Sequence, residues 1–159
     1  MPPQRQLQLQ STITSQGKLE IALAEVAMPE PKDNEVVVRI DATPINPSDL
    51  GLLFGAADMS TAKIGGSGNS PTLTADVPAG LMKSMAGRLD QNLPVGNEGA
   101  GVVVAAGASE AAQALMGQNV AIIGGAMYAQ YRAVRADQCL VYPGDVTAAK
   151  GASWFVHPM

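Results

Sequence analysis

The stretch LPVGNEGAGVVVAAG, Leu93 to Gly107, decides how this sequence folds. The run Val102, Val103, Val104 reads as a strand covered on both faces, and the glycines at 96, 99, 101 and 107 let backbone or ligand come close. One carboxylate, Glu98, stands inside this apolar text. A buried acid needs a partner, and the expected ones are backbone N–H groups or a cationic residue.

Working outward, apolar residues alternate at Leu7, Leu9 and Ile13, at Leu19, Ile21 and Leu23, and at Val36, Val38, Ile40 and Ala42. Period two marks half-buried strands, so the chain is expected to begin as an all-β meander turned by MPEPKDNE. From Gly51 to Leu93 the text is rich in Gly, Ser, Thr, Met and Pro, with GGSGNSP in its middle, and a long irregular segment is expected there. Beyond Gly107, SEAAQALMG predicts a short helix with Ser109 as N-cap and Gly117 as its stop. Strands are expected at NVAII, YAQYRAV and CLVYP, and a last helix begins behind Thr147.

Composition narrows the function classes. The 159 residues are 47% hydrophobic and 15% charged, which suits one folded domain and excludes a disordered tail. A net charge of -4 with scattered basic residues argues against a nucleic-acid surface. No apolar run approaches the roughly 18 residues of a membrane helix, and MPPQRQLQLQ lacks the apolar core of a secretion signal, so a cytoplasmic protein is expected. One cysteine, Cys139, and one histidine, His157, cannot supply a zinc site of sulfur and imidazole.

Two glycine clusters fall short of a phosphate-binding fingerprint. IGGSGNS at 64–70 has no strand before it and no helix after it, and VAIIGGAM runs on into another strand pattern. A dinucleotide turn needs both flanks, because the pyrophosphate rests on a helix N-terminus. PINPSDL, Pro44 to Leu50, is more specific: the prolines hold an extended entry, and Ser48 and Asp49 are placed to cap the next turn.

INPSD at 45–49, GNEGAGVVVAAG at 96–107, GGAMYAQYRAV at 124–134 and GASWFVHPM at 151–159 occur in an order and spacing that resembles the N-terminal domain of the medium-chain dehydrogenase/reductase superfamily. The nearest resemblance is to its zinc-independent NADPH:quinone oxidoreductase branch, and it covers nearly the whole chain. It implies a mainly β, GroES-like, partly open barrel with short helices over 1–159, forming the substrate side of a cleft. A Rossmann domain holding the nicotinamide cofactor would follow and is not in this sequence.

The resemblance also assigns roles. Zinc-bearing members place His where this chain has Asn97 and Cys where it has Asn46, so zinc is not expected, and Glu98 resembles the acid left behind the missing metal. Asn46 and Pro47 are implied beside the nicotinamide of NADPH or NADH. Asn46, Ser48, Asp49 and Glu98 are implied at the reacting end, Ser48 occupying the family's proton-relay position. The parent activity would be hydride transfer to a small quinone or enone, with no nucleic-acid or membrane partner and with a homodimer open to the complete enzyme. This chain alone is expected to bind no cofactor tightly and to be inactive. A stand-alone ligand- or partner-binding module and an inactive truncated fragment are the alternatives, the abrupt FVHPM ending favouring the latter.

Overall fold

A computed structural model of the chain describes residues 4–155. The strands and α-helices are, in order, β1 (Arg5–Ile13), β2 (Lys18–Ala27), β3 (Glu35–Ala42), α1 (Pro47–Phe54), β4 (Asp58–Ser67), β5 (Ser70–Asp76), β6 (Leu93–Pro94), β7 (Glu98–Ala106), α2 (Glu110–Gln113), β8 (Asn119–Ile123), β9 (Tyr131–Arg135), β10 (Cys139–Val141) and α3 (Ala148–Gly151). They build two antiparallel five-stranded sheets, ordered β4-β5-β2-β1-β6 and β10-β8-β7-β3-β9. The architecture is mainly β, the sheets do not close into one barrel, and it is consistent with a GroES-like domain.

The three alternating patterns at the start are strands, but they do not form a meander. β1 and β2 pair from Arg5↔Ala27 to Ile13↔Leu19, whereas β3 leaves for the second sheet and lies between β7 and β9. Pro29 and Pro31 stand in the connection, and a residue without an N–H cannot continue a ladder onto β2. The loop between β8 and β9 ties the sheets together. Leu9 N–H donates to Tyr128 O at 2.8 Å, and Ile40 N–H donates to Gln130 O at 2.9 Å.

The segment expected to be irregular is the largest correction. It holds the second half of α1, the β4–β5 hairpin and a 3-10 helix over Ala79–Arg88. β5 pairs with β2 from Lys18↔Asp76 to Ala22↔Thr72, and the hairpin turns at Gly66 and Gly68, both at positive φ. Its text looks loop-like because β4 is an exposed edge and needs no large apolar residues. Val104 corrects a smaller point: it stands 40% exposed beside a groove walled by Met28, Pro29 and Tyr131, so only Val103 of the valine run is fully buried.

The glycines of the deciding stretch serve backbone contact. A Cβ on Gly101 would lie 1.7 Å from Arg39 O, where β7 crosses an irregular part of its ladder with β3. One apolar cluster fills the space between β3, β7, β8 and β9 with Val36, Val38, Val103, Ile122 and Met127. A second joins Ile13, Leu19, Ile21 and Val95 to Leu53 of α1. The third packs Ala100, Ala121 and Tyr142 under α3.

Candidate functional site

The site grows from the start of α1. Asn46 is the N-cap, with extended backbone at φ -90 and ψ 154, and Pro47 occupies the first helical turn. Asp49, three residues on, accepts the Asn46 backbone N–H on Oδ2 at 2.8 Å, while the Asp49 N–H donates to Asn46 O at 2.9 Å. The cap is therefore Asn46 closed by Asp49, and Ser48, expected to share in capping, faces outward instead.

The Asn46 side-chain amide also reaches a second element. Its Nδ2 donates to Glu98 Oε1 at 2.8 Å, with Asn46 2% and Glu98 0% exposed. Glu98 Oε2 accepts the backbone N–H of Phe155 at 3.1 Å. A carboxylate removed from water is held here by an amide and a peptide N–H, of which the second was expected from the sequence.

Next to this pair lies its exposed counterpart. Asn97 Nδ2 donates to Ser48 Oγ at 3.0 Å. With its oxygen accepting that bond, the Ser48 hydroxyl has its own proton to give elsewhere. Two apolar residues of the same segment are exposed, Ile45 at 73% and Leu50 at 42%.

Asp49 is nearly as buried as Glu98. Tyr128 Oη lies 3.0 Å from Asp49 Oδ2 and 3.1 Å from Pro44 O, while Asp49 Oδ1 has no hydrogen-bond partner among the described residues. Burial, followed by the neighbouring carboxylate, pushes the Tyr128 phenol well above its ordinary pKa. Gly96 makes room for that ring: at φ +105, a Cβ there would sit 2.8 Å from Tyr128.

The other end of α1 is fastened as well. Arg88 donates to Leu52 O at 2.9 Å and to Ser11 Oγ at 3.1 Å, setting a cation against the helix's last carbonyls. Burial lowers its pKa.

The structure thus brings Asn46, Ser48, Asp49 and Glu98 together, with Pro47 exposed beside them. Sequence reasoning missed the Tyr128 hydroxyl as a partner of Asp49 and the Asn46 amide as a partner of Glu98, and it expected a backbone N–H at Glu98 without placing it at Phe155. The tyrosine carried a usable signal, since a buried phenol needs an acceptor. A backbone N–H carries none.

The side-chain amides of Asn46 and Asn97, the residues that the resemblance sets against zinc ligands, are both engaged as donors to oxygen, which does not fit a zinc ion seeking thiolate and imidazole. No group of three or more His, Cys, Asp or Glu among the described residues could hold a metal, and His157 lies outside those residues. Cys139 is half-buried on β10, and burial with nearby Asp137 pushes its thiol up to about 11. Among the described residues no helix is long and apolar enough to cross a membrane.

No family model matches the sequence, and no curated protein does. Solved structures do. The quinone oxidoreductase from Coxiella burnetii superposes at a TM-score of 0.62 with 15% identity, covering 94% of this chain and 40% of its own. The Escherichia coli quinone oxidoreductase complexed with NADPH gives 0.59 and 15%, covering 95% and 37%. The human synaptic vesicle membrane protein VAT-1 homolog-like protein gives 0.60 and 20%, covering 93% and 39%. This chain spans 37% to 41% of the length of the quinone reductases it matches. It has a fold that these longer oxidoreductase chains contain, a GroES-like arrangement of two antiparallel sheets.

Proposed function

We propose that this chain is the substrate-side domain of a zinc-independent, NADPH- or NADH-dependent oxidoreductase that reduces small quinones or enones in the cytoplasm. The observation that carries this reading is the pairing at the start of α1, where half-buried Asn97 holds the exposed Ser48 and the neighbouring residues Asn46 and Glu98 form a buried bond. A nicotinamide cofactor supplies hydride when bound, and hydride transfer needs no protein nucleophile. What the protein must add is orientation and hydrogen bonds to the oxygen that gains charge.

The Ser48 hydroxyl, its oxygen held by Asn97, donates to the substrate carbonyl oxygen. Ile45, the residue before the Asn46 cap, offers exposed apolar surface for a planar ring. Pro47 and Ser48 are the exposed residues of the first turn that can meet the cofactor, whereas Asn46 acts as a positioning residue, since its amide is buried and bound to Glu98. A pyrophosphate cradle is not among the described residues. The glycines at 66 and 68 turn a hairpin, and those at 124 and 125 follow a strand with no helix behind them.

The test has two arms. The 159-residue chain alone is expected to bind NADPH no more tightly than about millimolar, roughly 4 kcal/mol. Joined to a nicotinamide-binding domain, it is expected to oxidise NADPH with a quinone or enone, and Ser48→Ala then lowers kcat about 100-fold, the usual cost of one donor to a developing oxyanion. Micromolar binding to the chain alone overturns the division of labour. A joined protein that binds NADPH and reduces neither substrate class favours the reading as a ligand-binding module.

A further inference from the structure

Glu98 touches two parts of the chain that are far apart in sequence. Oε1 takes the side-chain amide of Asn46 at the start of α1, and Oε2 takes the backbone N–H of Phe155, in the turn that follows α3. We infer that Glu98 is a two-sided junction, docking the α1 N-terminus and the 152–155 segment as one cooperative unit. The inference goes beyond hydride transfer and does not depend on it.

The physical reason lies in burial. Glu98 is 0% exposed, so water does not stand ready to replace a donor that leaves, and the acid keeps its desolvation cost when one side lets go. Each donor also drags more than itself. On one side, Asn46 is bonded to Asp49 through both N–H and C=O, so displacing it disturbs the first turn of α1 and Ser48 with it. Ser48 is in turn held by Asn97, the residue before Glu98. On the other side, Trp154 sets its ring edge against Tyr142, with centroids 5.6 Å apart and planes at 65°. Ala152, Trp154 and Phe155 share an apolar cluster with Ala100, two residues beyond Glu98 on β7. The exposed mouth at Ser48 and the segment after α3 therefore meet at a single buried acid.

Trp154 is the chain's only tryptophan, so its emission reports the segment directly. In the wild-type chain, native-state amide exchange is expected to show Asp49 and Phe155 opening with the same free energy and the same denaturant dependence, the signature of one cooperative unit. Asn46→Ala is expected to speed Phe155 exchange about tenfold, the loss of roughly one hydrogen bond to a charged group. Acrylamide quenching of Trp154 rises with it, while the amides of Val36 to Val38 keep their protection. Phe155→Pro, which removes the N–H from the other end, is expected to speed exchange at Asp49. The double variant opens no further than the faster single one, because both act through one carboxylate. Separate opening of Asp49 and Phe155 in the wild-type chain overturns the inference, whatever the variants do. So does an Asn46→Ala protein that keeps both β3 protection and wild-type exchange at Phe155, or additive effects in the double variant.

Discussion

Tyr128 shows how one side chain joins sequence to site. Its ring fits because Gly96 lacks a Cβ, and its hydroxyl reaches Asp49 Oδ2 and Pro44 O, spanning the entry to α1. Its phenol pKa is raised by burial and by Asp49, so the folded chain holds that proton after the unfolded chain has released it. The sign follows from linkage: above the unfolded phenol value of about 10 the unfolded state binds fewer protons, and stability falls as pH rises. Tyr142 is shifted the same way by burial and contributes a slope of its own. Tyr128→Phe is therefore expected to flatten, without abolishing, the decline in melting temperature above pH 10. It also costs about 1 kcal/mol at neutral pH through the lost hydrogen bond. A decline as steep in the variant as in the wild type would show that the phenol does not carry this dependence.

At the scale of elements, the β4–β5 hairpin sets a gradient of order within one short stretch. β5 lies between β2 and β4 and buries Ala75 to 2% exposure, while β4 is an edge and Ile64 on it is 86% exposed. The turn at Ser67–Ser70 has no neighbouring strand beyond its own hairpin, and Lys18 and Asp76 form an ion pair at the hairpin's base. Amides of Leu73 to Ala75 are expected to exchange about 100-fold or more slowly than those of Gly66 to Asn69, and a nonspecific protease is expected to nick the turn first. Mass spectrometry of exchanged and digested protein reads both. Uniform exchange across residues 58 to 76 would mean that β5 is not anchored by β2.

For the whole molecule, metal content is the decisive quantity. With Asn46 and Asn97 both committed as hydrogen-bond donors, purified protein is expected to hold well under about one zinc per chain, and chelators are expected to leave its melting temperature unchanged. Elemental analysis together with a thermal melt in chelator checks this. Stoichiometric zinc would require both amides to turn away from their oxygen partners.

Much of the architecture was written in local pattern. The period-two alternations at 7–13, 19–26 and 36–42 are strands, and Ser109 and Thr147 cap their helices by accepting from Ala112 and Lys150 N–H, because periodicity and capping depend on residues a few positions apart. Asn46, Asp49 and Glu98, which only the resemblance of INPSD and GNEGAG had grouped, are linked by hydrogen bonds. Pairing between strands is a different matter. That β3 abandons β2 for β7 and β9, and that the loop-like text at 58–76 becomes a hairpin laid on β2, depend on which edge is free when the chain collapses. The partners of Glu98 are of the same kind. An amide 52 positions away and a peptide N–H 57 positions away meet it because β7, the start of α1 and the turn after α3 converge on one dry point, and only the tertiary structure decides that.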